Sequence, residues 1–340
     1  MIFMTTQFEN RDTGAAIALQ RMIIGDWISQ AVQVAASLGV ADLIADRPRS
    51  AADLAGSLGV HGPSLYRLMR ALASVGVFTE VVLGSFGLTA VGDYLRTGVP
   101  GSLRALATIH TAIEWGAWGQ LGHSVRTGEN AFRHLHGMGY FDYLAAHPDL
   151  GELFDRGMTE YVTMNGIAVT QAFDFSRFRK IVDVGGGHGA LMAEILSSAP
   201  QASGIVYDLP SVVERADSSL RSDRCEFFGG DFFASVPEGG DLYLMASIVH
   251  DWDDNSCRKL LSNCHRAMHA GAVLLLVEMI VPPGDAPSFA KLLDLEMLVC
   301  FGGRERTEDE YRDLLAESGF EISRVIPTAM PSSVILARPV

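Results

Sequence analysis

Short apolar runs alternate with helix-like segments through the second half of the chain. Residues 181–184 and 204–207 are rich in Val and Ile, and residues 224–228, 241–246 and 272–277 repeat the apolar pattern. Runs of this kind are typical of buried parallel strands, and the segments between them have helical periodicity. The alternation predicts an α/β fold with a doubly wound, mostly parallel sheet.

Two further strands close the sheet at the end of the chain. Residues 320–326 and 333–337 are strand-like and are separated by only six residues. A connection that short cannot make a parallel crossover, so these two strands are expected to be antiparallel.

Polar and glycine residues follow successive strands at their carboxyl ends. The first strand runs into a turn that contains Gly185 and Gly187, where missing side chains and a helix N-terminus favour close approach of a ligand. Asp208 ends the second strand, 23 residues beyond Gly185, where a carboxylate reaches the hydroxyls of a ribose. Asp231 and Phe232 follow the third strand and suit an adenine. These positions share one sheet edge, which predicts a crevice for a nucleoside-bearing cofactor.

Two cofactor classes fit this pattern. Gly185, Gly187 and Ala190 also satisfy the dinucleotide-binding fingerprint, so an NAD(P)-dependent reductase is an alternative. The acid–aromatic pair Asp231–Phe232 and the antiparallel end of the sheet favour a methyltransferase instead.

The N-terminal third has the pattern of a winged helix-turn-helix. Two short helices precede a two-stranded wing over residues 77–89, which raises the alternative of a DNA-binding regulator. The net charge of −14 argues against a nucleic-acid partner, and the second helix offers only Arg67 and Arg70 as exposed cations.

Five ordered motifs give the chain a specific resemblance that covers most of its length. They are residues 182–187 (Val-Asp-Val-Gly-Gly-Gly), 207–210 (Tyr-Asp-Leu-Pro), 229–232 (Gly-Gly-Asp-Phe), 250–252 (His-Asp-Trp) and 302–307 (Gly-Gly-Arg-Glu-Arg-Thr). The chain resembles the class I S-adenosylmethionine-dependent O-methyltransferases of the plant caffeate/flavonoid type, in the bacterial branch that serves aromatic natural-product and antibiotic pathways. Where plant enzymes commonly have Lys-Trp, this chain has Ala246-Ser247.

The resemblance implies a seven-stranded sheet with an antiparallel last strand, S-adenosylmethionine as donor, S-adenosylhomocysteine as product, and no metal. It implies His250 as general base, with Glu278 and Glu305 as assisting acids. The expected cofactor-binding residues are Asp183, Gly185, Gly187, Asp208, Leu209, Asp231, Phe232 and Ser247.

The chemistry of the residues points to the same roles. Ionising a phenol of pKa about 10 at pH 7 costs roughly 4 kcal/mol, and a histidine of pKa about 6.5 is a suitable base for its proton. An aliphatic alcohol is a much weaker acid, so a phenolic or enolic hydroxyl is expected to be the acceptor. Glu278 ends an apolar strand and is expected to fix the tautomer of His250, and Glu305 to do the same or to position the substrate. Asp251 is either a helper of His250 or a structural acid.

The domain boundaries follow from these patterns. Residues 15–105 are expected to form a helical, winged-helix-like domain, and residues 106–340 the catalytic domain. A broad apolar stripe from Ile23 to Ala35 favours packing against a partner, and the resemblance implies a homodimer through this domain. Within the catalytic domain, residues 106–172 are expected to wall a flat aromatic acceptor, with Phe141, Met158 and Met164 in contact with it. The resemblance implies that the turn near Met297 lines the same pocket.

The cysteines and the lengths of the apolar runs indicate in which cellular compartment the protein is expected. The four cysteines lack C-x-x-C spacing, so free thiols are expected and a zinc site is not. No apolar run reaches the roughly 18 residues of a membrane span, and no signal peptide is evident, so a cytoplasmic protein without a membrane partner is expected.

Overall fold

The computed structural model describes residues 13–216 and 220–340. These divide into two compact units, one ending at Thr111 and the other beginning at Ala112. The division falls six residues after the end of the N-terminal domain proposed from the sequence at residue 105.

The N-terminal unit combines short helices with a small sheet. Its helices are α1 (Thr13–Ile23), α2 (Gly25–Leu38), α3 (Val40–Leu43), α4 (Ala51–Leu58), α5 (Gly62–Ser74), α6 (Ala90–Asp93) and α7 (Arg104–Ile109). Its strands are β1 (Arg49–Ser50), β2 (Phe78–Val82) and β3 (Ser85–Leu88), which pair antiparallel in the order β1-β3-β2. Helices α4 and α5 with the β2–β3 hairpin form the winged arrangement that the sequence predicts.

Local signals explain the boundaries of α4. The Ser50 side chain accepts a hydrogen bond from the Asp53 N–H at 3.0 Å and so caps the first turn. Gly59, in the left-handed conformation with φ 67°, ends the helix. Helix α5 then buries Leu65, Met69 and Leu72 against the core of this unit.

Large apolar side chains remain exposed on α1 and at the start of α2. Met22 is 76% exposed, and Ile23 and Trp27 are each 68% exposed. The later part of the predicted stripe behaves differently, because Ala35 is 1% exposed and belongs to the core of the unit. The stripe is therefore divided between the unit's own core and an open apolar face.

The C-terminal unit contains the large sheet and ten α-helices that the structure describes. The helices are α8 (Trp115–Trp118), α9 (Leu121–Thr127), α10 (Ala131–His136), α11 (Tyr140–Ala146), α12 (Pro148–Ala172), α13 (Ala190–Ser198), α14 (Pro210–Arg215), α15 (Asp254–Ala267), α16 (Phe289–Glu296) and α17 (Glu308–Glu317). A 3₁₀ turn covers Val249–Asp251, and π-helical turns cover His110–Glu114, across the division, and Met297–Phe301. No helix within residues 13–216 and 220–340 is both long and apolar enough to cross a bilayer.

The sheet has seven strands, as the resemblance implies. They are β4 (Lys180–Val184), β5 (Ser203–Asp208), β6 (Cys225–Gly229), β7 (Leu242–Ala246), β8 (Val273–Met279), β9 (Phe320–Pro327) and β10 (Ser332–Pro339). Their order is β6-β5-β4-β7-β8-β10-β9; β4 to β8 are parallel, and β10 is antiparallel to both of its neighbours. The predicted fold class, including the antiparallel last strand, is confirmed.

The strand order places the site. From β4 the sheet extends through β5 to β6 on one side, whereas β7 lies on the other side of β4. The direction of winding therefore reverses between β4 and β7. Ligands of open α/β sheets bind outside the carboxyl ends of strands at such a switch point. Two apolar clusters on the two faces of the sheet fix these strands, with Val182 and Tyr243 in one and Ile181 and Leu244 in the other.

Candidate active site

The glycine turn after β4 depends on the absence of side chains. Gly185 and Gly187 have φ values of 76° and 54°, which L side chains rarely adopt. A Cβ atom on Gly185 would lie 2.4 Å from Ile248 Cδ1, whereas one on Gly187 would meet nothing within 4 Å. The turn therefore packs tightly on one side and leaves open space on the other, which is a cradle for a ligand.

Asp208 is held against this cradle by backbone N–H groups. Its Oδ2 accepts a hydrogen bond from the Gly187 N–H at 2.8 Å, and its Oδ1 accepts one from the Leu209 N–H at 2.7 Å. Burial raises the pKa of Asp208, and these two hydrogen bonds oppose that shift. Asp208, the carboxylate predicted at the end of the second strand, thus lies at the rim of the glycine turn, and Leu209 is exposed beside it.

Asp183 lies beneath the turn and is a different kind of acid. Its side chain is 2% exposed and is so close to Gly186 that a Cβ atom there would lie 2.7 Å from Asp183 Cγ. Burial, and after it the neighbouring Asp208, raises the pKa of Asp183 to about 7. Its Oδ2 has no hydrogen-bond partner among the described residues.

The acid and aromatic after β6 lie on the same edge. Asp231 is exposed, and its Oδ1 accepts a hydrogen bond from the Phe233 N–H at 2.8 Å. Phe232 is half-buried and meets Trp252 edge-to-face, with 6.0 Å between ring centroids. An exposed carboxylate beside an aromatic face is suited to an adenine.

Ser247 directly follows β7 and has a strained conformation. Its φ of 55° is the only positive φ of a non-glycine residue in the part of the chain that the structure describes. Its N–H donates to the Val277 carbonyl at 3.0 Å, which continues the pairing of β7 with β8. Strained residues concentrate at functional sites, and no pattern in the sequence announced this one.

His250 lies on the 3₁₀ turn that follows β7, among three carboxylates. Its Nδ1 is 2.6 Å from Glu305 Oε1 and 3.9 Å from Glu278 Oε2, and its Nε2 is 3.5 Å from Asp251 Oδ1. The imidazole is 11% exposed, and the side chains of Glu278 and Glu305 are fully buried. The structure therefore brings together all four residues that were proposed as catalytic.

Of the two glutamates expected to hydrogen-bond the imidazole of His250, only Glu305 does so. Glu278 does not hydrogen-bond the imidazole; its Oε1 instead accepts hydrogen bonds from the N–H groups of Ile248 and Val249, at 3.0 and 2.8 Å. The Glu278 side chain reaches these backbone N–H groups because Glu278 lies on β8, which pairs with β7, the strand that leads into the turn of His250. Glu305 takes the hydrogen bond to Nδ1 and so sets the tautomer, with the Glu305 N–H donating to Asp294 Oδ1 at 2.9 Å.

The carboxylates dominate the electrostatics of His250. Burial disfavours the imidazolium and lowers its pKa, but Asp251, Glu278 and Glu305 together outweigh burial and raise the pKa to about 10. Burial raises the pKa values of both Asp251 and Glu278 to about 7 against the lowering effect of His250. One ligand atom each from His250, Glu278 and Glu305 lies within 4.8 Å of the others, a spacing that also suits a metal ion, but Glu305 engages the Nδ1 that such an ion would need.

Gly303 explains why a glycine pair precedes Glu305. A Cβ atom on Gly303 would lie 2.0 Å from the His250 carbonyl oxygen and 2.3 Å from the Asp251 carbonyl carbon. The backbone at Gly303 therefore presses directly on the turn that carries His250. Gly303 belongs to the motif at residues 302–307, but neither its role nor that of Asp294 has a signal in the sequence.

An aromatic wall adjoins His250 through Trp252. Phe141 stacks on Trp252 at 5.6 Å with an interplanar angle of 25°, and Phe233 meets the same ring edge-to-face at 4.7 Å. Phe141 also lies 5.8 Å from Phe301, on the π-helical turn that contains Met297. Of the residues proposed to contact the acceptor, Phe141 thus packs against Trp252, which follows His250 by two residues.

For the three methionines proposed to contact the acceptor, the structure gives the helical segment and the burial. Met158 and Met164 are half-buried on α12, and Met297 is 3% exposed. Tyr161, on the same helix, is close enough to Glu305 for that carboxylate to contribute to its raised pKa, after the larger effect of burial. The segment of α12 around Tyr161 therefore faces the base, and contacts of the methionines with an acceptor remain a proposal.

Comparison with known proteins matches both units. A family model described as an O-methyltransferase domain matches residues 118–321, and one described as an O-methyltransferase dimerisation domain matches residues 21–98. The phenazine O-methyltransferase PhzM of Lysobacter antibioticus is 44% identical over 98% of this chain and 99% of its own length.

Solved structures agree. The crystal structure of LaPhzM has a TM-score of 0.93 at 44% identity, covering 96% of this chain and 99% of that one. Human N-acetylserotonin methyltransferase in complex with S-adenosylmethionine has a TM-score of 0.90 at 30% identity, covering 97% of this chain and 99% of that one. Neither the reductase nor the DNA-binding regulator has support among these matches. The chain therefore belongs to the S-adenosylmethionine-dependent O-methyltransferases of the plant type, in the bacterial branch whose members act on aromatic natural products.

Proposed function

We propose that His250 is the general base for methyl transfer from S-adenosylmethionine to a phenolic or enolic hydroxyl of a flat aromatic acceptor. The observation that carries this proposal is the 2.6 Å contact between His250 Nδ1 and Glu305 Oε1. With Nδ1–H donated to Glu305, the lone pair is on Nε2, the nitrogen that then accepts the proton of the acceptor hydroxyl.

The glycine turn and the acids near it fit the donor. When bound, S-adenosylmethionine supplies a methyl group that is already activated by its sulfonium. The open side of Gly187 leaves room for the donor, Asp208 is placed for the ribose hydroxyls, and Asp231 with Phe232 is placed for the adenine. These residues hold and orient the donor, and orientation alone can lower a barrier by roughly 7–11 kcal/mol.

The three carboxylates turn His250 into a base of the right strength. An ordinary histidine of pKa about 6.5 accepts a proton from a phenol of pKa about 10 at a cost of roughly 5 kcal/mol. With the pKa of His250 raised to about 10, proton transfer from such a phenol to the neutral imidazole becomes nearly thermoneutral. The fraction of enzyme whose imidazole is neutral, and can therefore accept the proton, increases as the pH rises toward that pKa. An aliphatic alcohol is far more weakly acidic, so the same base discriminates in favour of phenols and enols.

The aromatic wall favours a planar acceptor. Phe141 packs against both Trp252, two residues after His250 in the chain, and Phe301. Such surfaces stack on flat rings. The likeness to a phenazine O-methyltransferase supports a fused aromatic acceptor in a secondary-metabolite pathway, with Met158, Met164 and Met297 as adaptable apolar contacts.

The proposal is tested by an activity screen with hydroxyphenazines, hydroxynaphthoates and simple phenols, read as the gain of one methyl by mass spectrometry. We expect turnover with at least one fused aromatic phenol, and a loss of about 10²–10⁴-fold in His250→Ala. Calorimetry with S-adenosylhomocysteine should give the same affinity for both proteins. His269→Ala, at an exposed position, is the control. Near-normal turnover in His250→Ala would refute the general-base role.

The dimerisation domain supports a homodimer, and we infer that its interface includes the exposed apolar face of α1 and α2. Trp27 and Ile23 are each 68% exposed there. Trp27→Glu should convert the dimer to monomer in sedimentation, whereas Val125→Glu, at an exposed position of α9, should leave it intact. A dimer that survives Trp27→Glu would place the interface elsewhere.

We also infer a cytoplasmic location. All four cysteines are buried and unpaired, which fits a reducing compartment. Fractionation of the producing cells, followed by detection of the protein, tests the inference; recovery from the secreted fraction would contradict it.

A further inference from the structure

The segment that carries His250 is held only weakly by its own hydrogen bonds. It is a single 3₁₀ turn, Val249–Asp251, and such short turns have poor hydrogen-bond geometry. The Asp251 N–H donates to the Ile248 carbonyl at 3.3 Å, and the Trp252 N–H donates to the Val249 carbonyl at 3.4 Å. A base that must be aligned with both a donor and an acceptor requires support from outside this turn.

Arg306 supplies that support from a fully buried position. Its Nη1 donates to the Val249 carbonyl at 3.0 Å, and its Nη2 donates to the Trp252 carbonyl at 3.0 Å. These two carbonyls flank His250 and Asp251, so one planar guanidinium spans the whole turn. Arg306 is 0% exposed and is the largest fully buried side chain among the described residues.

The remaining donors of the guanidinium are also partnered. Nε and Nη2 donate to Asp254 Oδ1 at 3.2 and 2.8 Å, which offsets the buried positive charge. Nη1 makes a further hydrogen bond to the Arg304 carbonyl at 3.2 Å. A lysine could not span two carbonyls and a carboxylate with one rigid group, because its ammonium is a single point of charge.

Arg306 is also coupled to both glutamates of the site. It is the chain neighbour of Glu305, and adjacent residues of an extended segment point to opposite sides. Glu305 thus reaches the imidazole, while Arg306 reaches the backbone of the same turn. The Val281 N–H donates to the Arg306 carbonyl at 2.9 Å, next to the bridge between Ile280 and Arg306, which ties this segment to the end of the strand that carries Glu278.

We propose that Arg306 is a positioning residue for methyl transfer, which fixes the imidazole of His250 against Glu305 by holding the carbonyls on both sides of the turn. It touches none of the reacting atoms and acts only through His250. Its kinetic consequence rests on the proposed general-base function, whereas its effect on the geometry of His250 does not.

The test compares Arg306→Lys and Arg306→Met with Arg304→Met. Arg304 is the matched control, because its side chain pairs with the same Asp254, at 2.9 Å, but is 45% exposed and makes no contact with the turn. The geometric readout is the downfield imidazole N–H proton resonance expected for His250 Nδ1, assigned by its loss in His250→Ala. It should be shifted or broadened in both Arg306 variants and unchanged in Arg304→Met.

The kinetic readout separates positioning from general damage. We expect kcat to fall about 10-fold in Arg306→Lys and about 100-fold in Arg306→Met, as for a misplaced catalytic group. The KM for S-adenosylmethionine and the affinity for S-adenosylhomocysteine should change less than about 3-fold if the variants are folded. Arg306→Lys provides the folded variant if Arg306→Met does not accumulate.

The outcomes are distinct. An unchanged His250 resonance in a folded Arg306→Lys protein overturns the proposal, as does the absence of that resonance from the wild type. A kcat equal to that of Arg304→Met, or an equal loss of kcat and donor affinity, also overturns it. A displaced resonance with no methyl transfer by the wild type on any acceptor would instead refute the proposed function and leave the positioning role intact.

Discussion

The two halves of the proposed active site, one for the donor and one for the base, are built by different means. The donor half, residues 183–187 with Asp208 and Asp231, is shaped mainly by backbone: glycines with positive φ and N–H groups that hold a carboxylate. The base half, residues 249–252 with Glu278 and residues 303–306, is shaped by buried charges from segments far apart in sequence. A change in the donor half should therefore lower donor affinity, whereas a change in the base half should lower turnover.

The largest expected effects come from one glycine in each half. Gly185→Ala would place Cβ 2.4 Å from Ile248 Cδ1 at a φ of 76°, and we expect the affinity for S-adenosylhomocysteine to fall by more than about 100-fold. Gly303→Ala would place Cβ 2.0 Å from the His250 carbonyl oxygen, and we expect turnover to fall about 100-fold with little change in that affinity.

Calorimetry and steady-state kinetics measure both quantities for the two variants. Gly56→Ala is the control, since a Cβ atom on this helical glycine meets nothing within 4 Å. If both active-site variants lost affinity and turnover in the same proportion, the distinction between the two halves would fail.

The next largest expected effect is a difference in kcat between variants of the two glutamates. Glu305→Gln removes the carboxylate that accepts Nδ1–H, and we expect kcat to fall about 100-fold. Glu278→Gln should cost less than about 10-fold, because an amide oxygen can still accept the N–H groups of Ile248 and Val249.

The pH profile gives an independent check on this pair. Glu305 raises the pKa of His250, so its removal should move the rising limb of kcat/KM to lower pH. Equal losses of kcat in the two variants, or a rising limb of kcat/KM that moves to higher pH in Glu305→Gln, would mean that Glu305 does not raise the pKa of His250.

The same contrast explains how much of the site could be predicted from the sequence. Gly185 follows β4, Asp208 ends β5 and Asp231 comes two residues after β6, so local pattern is sufficient to place them on one edge of a parallel sheet. Glu278 lies near the end of β8, and His250 lies on the turn after the neighbouring strand β7. Which carboxylate reaches Nδ1, however, depends on a contact between residues 55 positions apart. The sequence allowed this contact to either glutamate; Glu305 makes it, and the hydrogen bond expected of Glu278 goes to backbone N–H groups instead.

Other features have no local signal at all. Ser247 has a strained φ where its N–H pairs with β8, and the role of Gly303 follows from its close approach to the His250 carbonyl. The π-helical turn Met297–Phe301 brings Phe301 beside Phe141, whereas helical periodicity alone could not orient Met158 or Met164. The parallel strands and the antiparallel end of the sheet were predictable because hydrophobic period and loop length indicate them; side-chain contacts between distant segments were not.

A smaller effect links the two halves electrostatically. The pKa of His250 is raised to about 10, and a bound sulfonium near the imidazolium should lower it by about 1–3 units through like-charge repulsion. At pH 9, just below that pKa, binding of S-adenosylmethionine should therefore release more protons than binding of S-adenosylhomocysteine.

Calorimetry in buffers of different ionisation enthalpy measures this difference. Protons of the amino groups that both ligands share cancel in the comparison. His250→Ala should abolish the difference, and equal proton release by the two ligands in the wild type would mean that the base does not sense the donor.

The smallest expected effect concerns Ser247, which lies where the two halves meet. A left-handed conformation costs a non-glycine residue about 1 kcal/mol or more, and a β-branched residue tolerates it least. Ser247→Val should therefore lower the free energy of unfolding by about 1–2 kcal/mol, whereas Ser247→Gly should change it by less than about 1 kcal/mol, because relief of strain is offset by greater freedom of the unfolded chain. Denaturant unfolding measures both. If Ser247→Gly binds S-adenosylhomocysteine as tightly as the wild type, the backbone conformation alone serves the donor; a several-fold loss would assign the contact to the serine hydroxyl.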